Sequence, residues 1–180
     1  MATDTSVEIE LITATHDKIP NKALAEVMHK NLEEIGTPKF TAEEQEFAAK
    51  MQREVGVPET GLDEMIMPFG GGSSVLCDTS EYSWFVPYVT LWVTMAPAGL
   101  GWHNWIVNSC AGSPLGKKAM KTAAKVLAAT AFDAISNPDL VKAAKAEFDE
   151  RLSARNYIAV LPDELTPPLD INKAVMDKYR

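Results

Sequence analysis

YVTLWVTMAP, residues 88–97, decides how the chain is expected to fold. Val89, Leu91, Val93 and Met95 alternate with Thr90, Trp92 and Thr94, the two-residue period of a β-strand. The Thr/Trp set is itself fairly apolar, which suits a central strand covered on both faces. A second alternation, SVEIELIT at 6–13, sets Val7, Ile9, Leu11 and Thr13 on one side and reads as a half-buried strand. A short strand at 64–67 is a weaker candidate within the loop 56–72.

The strand at 88–97 sits inside a peculiar stretch. Between Arg53 and Lys117 there is no Lys or Arg, and all 4 Trp lie there. Solvated surface normally carries lysine and arginine, so this run reads as core, pocket or interface. Helices flank it. NKALAEVMHKNLEEI, 21–35, has Pro20 and Asn21 at its start, Gly36 at its stop and a stripe of Leu24, Val27, Met28, Leu32 and Ile35. Thr41 and Glu44 form a capping box for a helix at 42–54, with Phe47 and Met51 as its expected core contacts. Ser113 and Pro114 open the longest helix, 114–135, and Asn137 and Pro138 repeat the pattern for 139–152. The tail 157–180 reads as mostly extended, with a last turn at 172–178. Helices around apolar strands predict an α/β fold: a three-layer arrangement of helices on a mixed sheet that holds 6–13 and 88–96. The strands are too few for a complete doubly wound domain.

The chain has 180 residues, consistent with a single domain over 1–180. Its formal net charge of -8 argues against a nucleic-acid partner. The two cysteines, Cys77 and Cys110, imply no disulfide framework. The first residues have neither a basic nor an apolar signal region, and no run approaches a membrane span, so a cytoplasmic protein without a membrane partner is expected.

Few residues can carry chemistry. His16 sits in a turn beside Asp17 and Lys18, and His29 lies within a helix; both read as surface histidines. His103, in GLGWHNW between two tryptophans, follows the expected central strand. It reads either as a packed loop histidine or as a metal ligand or acid/base group. Asp78 and Glu81, in a glycine- and serine-rich loop, can cap the next segment, orient a histidine or bind a cation. Gly71 and Gly72, in the run Gly70 to Gly72, can offer bare N–H groups to an anion, although no P-loop follows. A cysteine nucleophile would have only His103 as its base. H-E-x-x-H, C-x-x-C and G-x-S-x-G are absent from the sequence.

Five stretches carry a family resemblance: IPNKALAEVMHKNLEEIGTPKFTAEEQEFA at 19–48, CDTSEYSWFVP at 77–87, PAGLGWHNW at 97–105, GSPLGKKAMKTAAKVLAATAFDAI at 112–135 and YIAVLPDELTPPLD at 157–170. Together they resemble the C-terminal part of the zinc-dependent amidohydrolase/aminoacylase/carboxypeptidase superfamily, within it enzymes that cleave aminobenzoyl-glutamate. The resemblance implies the C-terminal half of a zinc-peptidase catalytic domain, with residues 1–15 like the strand returning from a lid domain. His103 matches the family's last metal-binding histidine, with Asn104 where Ser is usual. Asp78 and Trp84 match the Asp and Trp of the preceding loop, Glu81 stands in place of Asp, and Lys117 stands where histidine is frequent. The H-x-D motif and the catalytic Glu-Glu pair have no counterpart; Glu33 with Glu34 and Glu43 with Glu44 fall in segments matching non-catalytic parts. The implied reading is a truncated or split amidohydrolase, inactive alone, holding zinc only when a complementary chain supplies the missing half. The other reading is a non-catalytic α/β remnant that oligomerises or binds a partner through 54–116.

Overall fold

The computed structural model describes residues 5–70, 76–153 and 155–179. Its elements are helices: α1 Lys22–Ile35, α2 Ala42–Glu54, a 3-10 segment Asp78–Trp84, α3 Trp105–Ala111, α4 Pro114–Ser136, α5 Pro138–Leu152, α6 Lys173–Met176 and a 3-10 turn Asp177–Tyr179. Among the described residues there is no strand, so the expected α/β fold with a mixed sheet is overturned in favour of a helical one.

The helix ends are where the sequence signals put them. Asn21 accepts from the Leu24 N–H at 3.1 Å, Thr41 and Glu44 make both bonds of their capping box, and Ser113 and Asn137 cap helices that begin with proline. Tertiary contacts strengthen α1 further. Glu147 of α5 accepts from the Lys22 and Ala23 N–H groups at 2.9 and 3.0 Å, placing a carboxylate at the positive end of the α1 dipole. Asn21 also donates to the Ala144 carbonyl at 2.8 Å, and Asn31 reaches Thr130 and Asp133 of α4 at 3.2 and 2.8 Å. These bonds hold α1, α4 and α5 together as a frame.

A second cluster joins α2, the loop after it and α3. Ala48, Leu62, Ile106, Cys110 and Leu115 are buried together, with Phe40, Met51, Ala96 and Leu100 packed around them. Phe47, expected in the core, is 44% exposed. Gln52 is fully buried and replaces a sheet as the organiser of these loops. It donates to Thr60 and to the Ala98 carbonyl at 3.0 and 2.9 Å and accepts from the Gly61 N–H at 2.8 Å. Gln45 bonds both backbone groups of Leu62. Gly61 has φ +71°, and a Cβ there would meet the Gln45 side chain, so glycine is required. Gly116 is equally constrained, because a Cβ would run into the Ala111 carbonyl where α3 meets α4.

The expected strands fail for a physical reason. Alternation fixes which side a residue faces, but a strand also needs a neighbouring backbone about 4.8 Å away. Residues 88–95 have no regular structure; the Tyr88 carbonyl accepts from Asn21 N–H at 3.2 Å instead of joining a ladder. In the expected strand 6–13, Val7 and Ile9 are 85% and 87% exposed, with no second strand against them among the described residues. The candidate strand at 64–67 is likewise irregular.

Candidate functional site

The 3-10 segment Asp78–Trp84 is held by the turn that contains His16. The Glu81 carboxylate accepts from the His16 backbone N–H at 2.7 Å, and its two oxygens lie 3.2 and 3.0 Å from His16 Nδ1. Trp84 is buried and donates its indole N–H to the Asp17 carbonyl at 2.8 Å, while Ser83 accepts from the Ile19 N–H at 2.8 Å. The imidazole of His16 packs against Trp84 at 4.7 Å and Tyr157 at 4.8 Å between ring centres, and Tyr157 also meets Phe85 at 4.7 Å. The Tyr157 side chain is hydrogen-bonded to Glu81 as well, and Arg155 pairs with Asp17 at 3.4 Å. Three distant parts of the chain, around residues 16, 81 and 157, therefore close into one clasp.

The clasp shapes its own electrostatics. Burial alone would raise the Glu81 carboxyl, but hydrogen bonds from His16 and Tyr157 outweigh it, and the net effect is a lowered pKa. The same bond to Glu81, with desolvation, raises the Tyr157 phenol. His16 and Tyr157 are the members that sequence reasoning missed. The available signal was Glu81, one of two acids in an otherwise neutral stretch, which needs a donor once half-buried.

His103 lies elsewhere and in another state. It is exposed on an open depression of about 520 Å³ lined by Met95, Trp102, Trp105, Val107 and Asn108 among others. None of Asp78, Glu81 and Trp84 lines it. The loop under it is fixed from the far side: Asn104 caps α3 through bonds from the Ile106 and Val107 N–H groups at 2.9 and 3.1 Å, and donates to the Gly101 carbonyl at 2.6 Å. Trp102 meets Trp92 edge-on at 5.2 Å. The His103 ring thus stands on a rigid corner with no hydrogen-bond partner of its own among the described residues.

The other candidates are placed as follows. Asp78 is exposed and accepts from the Thr79 N–H at 2.9 Å. Gly71 and Gly72 lie outside the described residues. The Cys77 thiol is 2.9 Å from Thr79 Oγ1, which lowers its pKa; Cys110 is buried against Met51 and burial raises its pKa. A zinc site needs at least three protein donors. Among the described residues no group of three His, Cys, Asp or Glu side chains converges, so this donor set does not by itself fit a zinc centre. No described helix is long and apolar enough to cross a membrane.

No protein-family model and no solved structure matches the chain. Among curated proteins, a subunit of the p-aminobenzoyl-glutamate hydrolase of Escherichia coli (strain K12) is 24% identical over 195 aligned residues, which cover 93% of this chain and 40% of that protein. The chain spans about two fifths of the length of the curated relative it matches. That similarity, running through nearly all of the present sequence, supports a relation to the aminobenzoyl-glutamate hydrolase family of amidohydrolases.

Proposed function

We propose that this chain is one part of an amidohydrolase that cleaves the amide of aminobenzoyl-glutamate or of an N-acyl amino acid in the cytoplasm. A complementary chain supplies what is missing here: most metal ligands and the general base. In that complex His103 serves as a zinc ligand, and Asp78, Glu81, Trp84, Gly71 and Gly72 shape the loop beside the substrate. The reading rests on the similarity to a hydrolase subunit across 93% of the chain. The unpartnered imidazole of His103 supports it, since a ring already committed to a hydrogen bond, as in His16, is less free to coordinate. Alone, the chain is inactive, because amide hydrolysis at zinc requires an open metal position and a base in reach of bound water.

The test is zinc content by elemental analysis and hydrolysis of p-aminobenzoyl-glutamate, with and without a chain bearing H-x-D and Glu-Glu motifs. Turnover and zinc are expected only in the mixture, and His103→Ala removes both while the two chains still co-migrate. Two tightly bound zinc ions and turnover by the isolated chain would overturn the reading. A mixture that forms a complex but never turns over favours the second reading, a non-catalytic partner-binding protein. The exposure of Val7, Ile9, Trp92, Trp102 and Trp105 supports that alternative.

A further inference from the structure

Helix α4 is apolar on two sides. Leu115, Ala119, Val126 and Thr130 are buried on its inner side, where it packs on α1, α3 and α5. On the opposite side Met120, Ala124, Leu127, Ala128, Ala131 and Ile135 are all exposed. Their spacings of three and four residues align them in one stripe about 22 Å long. Met120, Leu127 and Ile135 are 63%, 49% and 83% exposed. Scattered exposed apolar residues need no explanation, but a helix apolar on two faces is normally covered on both.

The stripe is complementary to itself when reversed. Large residues, Met120 and Ile135, stand at its two ends, and small ones, Ala124, Ala128 and Ala131, crowd its middle around Leu127. Turned end for end, Met120 falls beside the partner's Ile135, Ala124 beside the partner's Ala131, and Leu127 over the partner's Ala128. The charges agree with that direction. Lys117, Lys121 and Lys125 mark the N-terminal half of α4, and no acid occurs in the helix before Asp133. Beyond its C-terminal end, whose carbonyls carry negative partial charge, stands the exposed Asp139. Antiparallel pairing sets each lysine-rich end against the partner's negative end, whereas parallel pairing would set lysine against lysine.

We propose that α4 is a self-association face, through which two copies of this chain pair antiparallel about a two-fold axis. The proposal is independent of the amidohydrolase reading. A single helix pair is a small interface, so the dimer dissociates in the micromolar range, about 1–100 μM. Sedimentation equilibrium of the full chain across that range reads it: the average mass rises from monomer to dimer. Leu127→Glu weakens the association at least about tenfold, with the circular dichroism spectrum and melting temperature unchanged. Direction is read by cross-linking in a Cys77→Ser background. Mixing Met120→Cys with Ile135→Cys chains gives the mixed disulfide in excess of either like pair. A monomer at the highest concentration, a dimer indifferent to Leu127→Glu, or preferential linking of like positions would each overturn the proposal.

Discussion

The loop around Glu81 and the loop around His103 look alike in sequence. Both lie in the stretch without Lys or Arg, both carry tryptophan, and each offers one side chain suited to chemistry. In the folded chain they differ in kind. Glu81 commits its oxygens to His16 and Tyr157, with Trp84 packed behind the imidazole. His103 stands exposed above a cap that bonds only its neighbours. The first loop joins distant segments and so belongs to the stability of the molecule. The second is built around a residue that contributes nothing to that stability, which is the usual condition of a group kept for a ligand.

The largest expected effect tests the first half of that contrast. Trp84→Ala removes a buried ring from between His16 and its surroundings and should cost about 3–5 kcal/mol, lowering the melting temperature by roughly 10 °C. A loss below about 1 kcal/mol by denaturant titration would show that the clasp is only a surface contact. Next, Gly116→Ala should cost about 1–3 kcal/mol, because the added carbon meets the rigid Ala111 backbone under the His103 side. An unchanged denaturation midpoint would mean that the α3–α4 corner yields.

Glu81→Gln should cost about 1–2 kcal/mol, a figure kept low because the carboxylate is partly solvated. Its pH dependence is the sharper reading. The Glu81 carboxyl is lowered from 4.5 by the fold, so its contribution is fully present above that value. The contribution is lost as the pH falls through the folded-state value. The stability gap between the native chain and the variant should therefore be flat near neutrality and close in acid; a gap that widens in acid would break the assignment. The smallest effect is expected at His103. His103→Ala should change stability by less than about 0.5 kcal/mol, measured in the same titration, since the ring packs against little. A cost comparable to that of Trp84→Ala would erase the contrast between the two loops.

The frame was legible in the sequence because its signals are local. Asn21, Thr41 with Glu44, Ser113 with Pro114 and Asn137 with Pro138 act on backbone groups two or three residues away, so reading them needs no knowledge of the rest of the chain. Helix α3 was missed because it is a short element within a stretch that reads as loop, and its cap, Asn104, looked like part of a metal motif. The strand readings at 6–13 and 88–97 went wrong because alternation is local while a sheet is not. Of the candidate site, His103 and Glu81 stood out as isolated functional groups in a neutral stretch. Nothing local tied Glu81 to His16, 65 positions earlier.

The sequence by itself therefore determined the helices, their ends, and the few residues with chemistry to offer. Tertiary structure alone decided that the alternating segments pair with no strand among the described residues, that Gln52 binds the loops, and that His16 and Tyr157 enclose Glu81 while His103 stays free. The physical reason is one of range. Caps and helical periods are satisfied within a turn of chain. Burial and side-chain hydrogen bonding depend on which remote segment arrives, and only the packed molecule specifies that.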